Sequence, residues 1–110
     1  MSTPSPKLLV GWTTIETLED ARALAEVLVA KKLAVCVQID SPTQSHFVWE
    51  GKPAWATEYR LWVKFLPEHA VDIERHLHAH HPYQVPQWIA VDAHHVGEKY
   101  LSWAGETRTN

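Results

Sequence analysis

Histidine is the residue type whose spacing points most directly to chemistry in this sequence, which holds eight of them in 110 residues. Two pairs are spaced for one face of a helix, His76 with His80 and His78 with His81, and a separate pair follows at residues 94–95. Paired imidazoles make a half-site for Cu²⁺, Ni²⁺ or Zn²⁺. They do not complete a closed four-ligand zinc site, because there is one cysteine and no obvious carboxylate set. The alternative interpretation is a solvated, histidine-rich helix that binds metal only weakly.

A second group of residues mixes aromatic rings with a few polar side chains, which is the composition of a small-molecule cleft. Its members are Trp49, Glu50, Glu58, Lys64, His81, Tyr83 and Trp103. Glu58 and Lys64 are six residues apart on one strand, or roughly 20 Å, so both need partners from other strands or subunits. The alternative is an interface network with satisfied buried charges. No nucleophile–base pair and no glycine-rich phosphate loop is recognisable, so we predict that the protein is not an enzyme.

Length and charge argue against several classes of protein. A chain of 110 residues accommodates one domain, and a net charge of −3 gives no electrostatic footprint for nucleic acid or an anionic membrane. No stretch approaches the roughly 18 apolar residues of a membrane span. Residues 1–6 lack the apolar region of a secretory signal, so we predict a disordered tail there and a single domain over residues 7–110. Cys36, the one cysteine, favours a reducing compartment, which predicts a cytoplasmic protein.

The hydrophobic pattern predicts the elements that position these residues. Residues 7–14 form an apolar run typical of a central strand. Thr17 is suited to cap a helix that ends near Lys31, with Asp20 in the capping-box position. The alternating residues 33–40 predict a second strand.

The next extended stretches form an unusually long hairpin. Residues 44–50 and 55–65 are its arms, and the turn is predicted at residues 51–53. Pro67 is suited to begin a second helix, and Pro82 ends it after His81. A last strand at residues 85–93 and a short helix at residues 98–105 complete the chain.

The resulting order, β-α-β-β-α-β plus a C-terminal helix, is an α+β fold of the ferredoxin-like, split-βαβ kind. Right-handed crossovers place both main helices on one face of the sheet. The predicted alternation puts Cys36, Trp62 and Trp88 on the other face. A buried tryptophan removes about 200 Å² from water, worth on the order of several kcal/mol. We therefore predict that neighbouring subunits cover this face and pair with the long hairpin; the alternative is that a loop or the C-terminal helix covers it within one chain.

Several segments resemble those of the CutA divalent-cation tolerance family, in the same order and spacing. They are AVCVQI (34–39), SHFVWEGK (45–52), Glu58, Lys64, HHPYQVP (80–86) and YLSW (100–103). The resemblance covers essentially all of the chain after residue 7. It implies a ferredoxin-like trimer with strands paired between subunits, a role in tolerance of copper and other divalent metals, and no established enzymatic reaction.

The resemblance also implies site residues. Copper-binding relatives use two histidines that correspond to His80 and His81, and a cysteine at the end of the first strand, where this sequence has Thr13. A threonine hydroxyl is a poor replacement for a soft thiolate. The segments that line clefts between subunits in the family carry Trp49, Glu50, Glu58, Lys64, Tyr83 and Trp103. Cys36 is interpreted as a small hydrophobe in the interface core, and alternatively as a ligand or redox thiol.

The leading functional hypothesis is a cytoplasmic homotrimer of metal homeostasis. It would bind Cu²⁺ or another divalent ion through histidines, with no metal required for folding. The second hypothesis is a signalling or ligand-binding trimer that holds a small molecule in its inter-subunit clefts. The third is a rigid scaffold for protein partners. Neither nucleic acid nor a membrane is an expected partner.

Overall fold

Residues 7–107, the part of the chain that the computed structural model describes, form five strands and three α-helices. The predicted tail at residues 1–6 and the domain end at residues 108–110 lie outside this range. The elements are β1 (Leu9–Ile15), α1 (Leu18–Ala30), β2 (Cys36–Ile39), β3 (Thr43–Trp49), β4 (Lys52–Phe65), α2 (Ala70–His80), β5 (Ile89–Asp92) and α3 (Glu98–Glu106), with a 3-10 turn at Pro67–His69 before α2. None of the helices in this range has the length and apolar character of a membrane span.

Four strands form one antiparallel sheet in the order β2-β4-β1-β5, and β3 pairs with residues 52–58 of β4. Strands β1 and β2 both run antiparallel to β4, so they are parallel to each other and α1 is their crossover. The chain therefore has the predicted ferredoxin-like split β-α-β-β-α-β fold with a C-terminal helix. Thr17 caps α1 as predicted, since its hydroxyl accepts a hydrogen bond from the backbone N–H of Asp20 at 3.2 Å.

One face of the sheet is covered by α1 and α2. Leu28 from α1 and Leu77 from α2 are fully buried in the same core cluster as alternate residues of β4. The β4 residues of this cluster are Leu61, Val63 and Phe65. The predicted inward face of the long strand is therefore confirmed, and Trp62 and Lys64 face the other side of the sheet.

The other face of the sheet is partly covered within the chain. At one end α3 packs there, because Cys36 borders a second core cluster that includes Ala104 of this helix. Further along, the ring of Trp62 lies edge-to-face on Trp12, with centroids 5.2 Å apart. Ile89 and Val91 of β5 share this face. They are among its exposed apolar side chains, so α3 covers only one end of it.

Trp88 lies on the opposite face from the one predicted. Its ring is 5.8 Å from the ring of Phe65, on the side of the sheet that the helices cover. A Cβ added to Gly11 would lie 2.3 Å from the Trp88 ring, so a glycine in β1 makes room for it. The predicted sheet face of Trp88 was therefore wrong. Alternation along β5 groups Trp88 correctly with Ala90, but it does not tell which of the two groups meets the helices.

The hairpin of β3 and β4 turns one residue earlier than predicted. Trp49 pairs with Lys52 across a two-residue turn at Glu50 and Gly51, which have φ angles of 50° and 78°. Positive φ at both positions is typical of a type I′ turn, whose twist suits the two strands. Lys52 and Pro53 consequently belong to β4, which reaches 14 residues and confirms an unusually long arm.

Candidate functional site

His81 is held in place by both of its ring nitrogens. Its Nδ1 accepts a hydrogen bond from the backbone N–H of Tyr83 at 3.1 Å. Its Nε2 lies 3.1 Å from the carbonyl oxygen of Thr14 and 3.1 Å from Oγ1 of Thr13. Since Nδ1 accepts, the neutral ring carries its proton on Nε2, where it donates to the Thr14 carbonyl. The imidazole thereby ties the residue after α2 to the end of β1.

The environment of His81 favours the uncharged ring. Burial holds the pKa of His81 below its usual range, and this effect outweighs the opposite influence of the Thr14 carbonyl and of the Glu58 and Asp20 carboxylates. A metal ion at His81 would have to replace one of the hydrogen bonds to Tyr83 or Thr14.

His80 has different surroundings from its neighbour His81. Its ring stacks on His76, one helical turn earlier, with centroids 4.4 Å apart and the ring planes tilted by 37°. The two rings line a depression of about 430 Å³ between α1 and α2, together with His81, with Asp20 of α1 and with Lys31, which follows α1. Burial, the neighbouring His80 and Lys31 all lower the pKa of His76. The helical pair predicted from spacing is therefore formed.

Three other histidines do not add to this pair. His78 points to Glu74, with Nε2 3.9 Å from the carboxylate, and does not share a site with His81. The pair at residues 94–95 is exposed in the loop after β5. Within residues 7–107, no three histidine, cysteine, aspartate or glutamate side chains converge on a point where they could hold a metal ion. The donors present therefore fit an open two-imidazole site and do not fit a closed four-ligand one.

A second candidate site is a groove of about 470 Å³ beside the long hairpin. Glu58 lies at its base, only 6% exposed, and accepts a hydrogen bond of 2.7 Å from the hydroxyl of Tyr83. Burial and the nearby Glu58 carboxylate raise the pKa of Tyr83, so the phenol stays protonated. Phe47 and Trp49 line the groove. Sequence reasoning missed Phe47, although it shares a face of β3 with Trp49 by alternation.

The predicted cleft residues therefore fall into separate places within one chain. Trp49, Glu58 and Tyr83 meet in the groove. Lys64 instead donates to Oε1 of Gln38 at 2.7 Å and lies over the ring of Tyr100, 5.6 Å from its centroid. The other two predicted members are also elsewhere: Trp103 packs on Tyr100, and Glu50 lies in the hairpin turn.

A polar network that the sequence did not reveal anchors Trp62. Oδ2 of Asp40 accepts hydrogen bonds from Nε1 of Trp62 at 2.7 Å and from Nε and Nη2 of Arg60 at 3.0 and 2.9 Å. The Trp62 and Arg60 donors lower the pKa of Asp40, in that order of influence. This network orients the indole on the sheet face that the helices leave open.

Comparison with known proteins agrees with the sequence resemblance. Residues 9–107 match the family described as "CutA1 divalent ion tolerance protein". The divalent-cation tolerance protein CutA of Archaeoglobus fulgidus is 36% identical over 96 residues, which cover 87% of this chain and 93% of that relative. "Protein CutA, chloroplastic" of Arabidopsis thaliana is 32% identical over 102 residues, 93% of this chain and 56% of that protein.

A solved structure gives the same result for the fold. The crystal structure of CutA1 from the psychrotrophic bacterium Shewanella sp. SIB1 matches with a TM-score of 0.90 at 29% identity, and the match covers 97% of this chain and all of that one. The family match over residues 9–107 and the 36% identity to the archaeal relative point to the same family. The chain therefore belongs to the CutA1 divalent ion tolerance protein family.

Proposed function

We propose that this protein serves in divalent-metal tolerance by binding a transition-metal ion, Cu²⁺ foremost, through the histidines at the end of α2. The observation that carries the proposal is the concentration of His76, His78 and His80 in the last two turns of this helix, each at least partly accessible to solvent. Neutral imidazole is a ligand suited to Cu²⁺, Ni²⁺ and Zn²⁺, and Cu²⁺ binds most tightly of the divalent first-row ions. The apolar core cluster is separate from these rings, so we expect folding without metal.

Calorimetric titration of the tag-free protein with Cu²⁺ tests this proposal. A triple variant, His76→Ala, His78→Ala and His80→Ala, should lose saturable binding. A control variant with alanine at both histidines of residues 94–95 should keep it. A wild-type Kd above about 1 mM, which corresponds to a binding free energy of only about 4 kcal/mol, would overturn the proposal. Undiminished binding by the triple variant would also overturn it.

We also propose that the functional form is a homotrimer. Support comes from the sheet face that α3 covers at one end only, where Ile89 is 56% exposed, and from the hairpin, where Val48 is 73% exposed. Apolar surface of this extent on a folded chain is typical of an interface. The proposed interface includes Cys36 and Trp62. Contacts with the next subunit would also bring Lys64 and Trp103 toward a neighbour's groove. The cytoplasm remains our proposed compartment, on the evidence of the single cysteine.

A second candidate function is binding of a small molecule in the groove. The specific observation is that Glu58 is nearly buried and accepts from Tyr83, while no lysine, arginine or histidine within residues 7–107 forms an ion pair with it. A carboxylate flanked by Trp49 and Phe47 suits an organic cation. Native mass spectrometry of the purified protein would support this function by showing a bound compound that Glu58→Gln abolishes. A compound that wild type and Glu58→Gln retain equally would argue against binding in the groove.

A further inference from the structure

The structure points to one specific pair of ligands on α2, and this inference rests on the metal-binding function proposed above. We infer that His76 and His80 form an open two-imidazole site for a borderline divalent ion such as Cu²⁺, and that His81 is not one of its ligands. The site lies at the C-terminal end of α2, beside α1. Its ligands differ from the adjacent pair, His80 and His81, that the family resemblance implies.

The geometry of the two rings favours a shared ion. Residues four apart on a helix have their Cβ atoms roughly 5–6 Å from each other. The rings of His76 and His80 have already adopted a close arrangement, with centroids 4.4 Å apart. Two nitrogens that each lie about 2.0 Å from one metal ion are about 3 Å apart, so the two rings must turn from this stacked arrangement to bind one ion. His80 is exposed and His76 is partly so, which leaves the remaining coordination positions open to water.

His81 is committed elsewhere by its hydrogen bonds. Its Nδ1 accepts from the Tyr83 N–H, and its Nε2 faces the Thr14 carbonyl. Both positions through which an imidazole binds metal are therefore in use. Coordination at either nitrogen would leave a partly buried backbone group without its partner, which is unfavourable.

The surroundings of the pair define the class of ion. Asp20 of α1 and Lys31, which follows α1, line the same depression, so one carboxylate can accept from a metal-bound water while one ammonium repels the ion. His81 also lines this depression, so its exclusion rests on its hydrogen bonds and not on its distance from the pair. With two nitrogen ligands and no converging carboxylates, the site suits Cu²⁺, Ni²⁺ or Zn²⁺ and not Mg²⁺ or Ca²⁺, which require oxygen ligands. His78 turns away toward Glu74 and provides a control on the same helix.

Electron paramagnetic resonance and calorimetry with Cu²⁺ as the probe test this inference on the full-length protein. We expect wild type to show two coordinated nitrogens. His76→Asn and His80→Asn should each leave one, and each should weaken binding by about tenfold or more, a change of about 1.4 kcal/mol or more. His78→Asn should bind as wild type does. His81→Gln, checked for folding by circular dichroism, should also bind as wild type does.

Two outcomes would overturn the inference, and they differ from failure of the proposed function. One is a His76→Asn variant with unchanged affinity and an unchanged nitrogen signal. The other is a folded His81→Gln variant whose affinity falls as far as that of His80→Asn. In both cases the triple variant described above would still lose binding, so metal binding by α2 would stand while the assignment of its ligands would not.

Discussion

Oγ1 of Thr13 lies 3.1 Å from Nε2 of His81, which joins the C-terminal half of β1 to the residue that follows α2. The family resemblance implies metal ligands at both positions, with a cysteine expected where this chain has Thr13. The two positions are therefore neighbours in space even though the ligand set is incomplete. In this chain the two side chains are joined by a hydrogen bond.

This contact predicts the effect of restoring the thiol. Thr13→Cys would place a soft sulfur ligand beside His81, and Cu(I) affinity should rise by about tenfold or more. Competition with a chromogenic Cu(I) chelator measures the change. Thr13→Ser, which keeps a hydroxyl, is the matched control and should show no gain. Equal Cu(I) affinity in wild type and a folded Thr13→Cys variant would contradict the prediction.

The neutral state of His81 predicts a dependence of stability on pH. Its pKa is lower in the folded protein than the value of about 6.5 expected when it is unfolded. Between these two values the unfolded state binds more protons, so the free energy of unfolding should fall as pH decreases below about 6.5 and level off below the folded pKa. Urea denaturation at fixed protein concentration from pH 7.5 to pH 5, over roughly this titration range, measures the slope.

The matched variant for that experiment is His81→Gln, which removes the titrating ring. Its free energy of unfolding should depend less on pH than that of wild type. If the free energy of unfolding of His81→Gln depends on pH as steeply as that of wild type, the His81 ring does not cause the loss of stability at low pH.

Gly11 packs closely against the ring of Trp88, so we expect even the smallest added side chain to lower the free energy of unfolding. An alanine Cβ would lie 2.3 Å from the indole, so Gly11→Ala should destabilise the protein by about 1–3 kcal/mol as the ring is displaced. Thermal or urea unfolding measures this loss. Gly105→Ala in α3 meets open space and should be neutral or slightly stabilising. Equal stability of the two variants would contradict the assigned position of Trp88.

The open sheet face predicts which substitutions disrupt assembly. Trp62→Asp puts a charge where a subunit contact is proposed, so the trimer should dissociate at micromolar concentration. Trp62→Phe loses the hydrogen bond to Asp40 but stays apolar, and it should remain trimeric. Val71→Asp, at an exposed position on α2, should also leave assembly unchanged. Light scattering measures the mass; a trimeric Trp62→Asp variant, or a monomeric wild type, would contradict the proposal.

Local pattern predicted most of the fold, because helix and strand periodicities are expressed within short segments. Leu61, Val63 and Phe65 are buried as their alternation indicated, and Thr17 caps its helix. The face of Trp88 could not be derived in this way. Alternation separates two faces without saying which one the helices cover, and residues 81–88 approach the sheet as an irregular segment.

The candidate site was less predictable, because its decisive contacts join distant parts of the chain. Spacing alone indicated the pair His76 and His80, since both residues lie on one helix. The role of His81 depends on Thr13 and Thr14, which are 68 and 67 residues away, and no local pattern brings them together. Residue type suggested a ligand at His81, whereas its hydrogen bonds support the proposal that it is not one.

Copper titration of three proteins tests the central claim most directly: wild type, His76→Asn with His80→Asn, and His78→Asn. Metal binding by α2 predicts saturable Cu²⁺ binding by wild type and by His78→Asn. It predicts that the double variant loses this binding while its circular dichroism spectrum and oligomeric mass stay unchanged. A double variant that folds, assembles and binds Cu²⁺ as wild type does would contradict the claim.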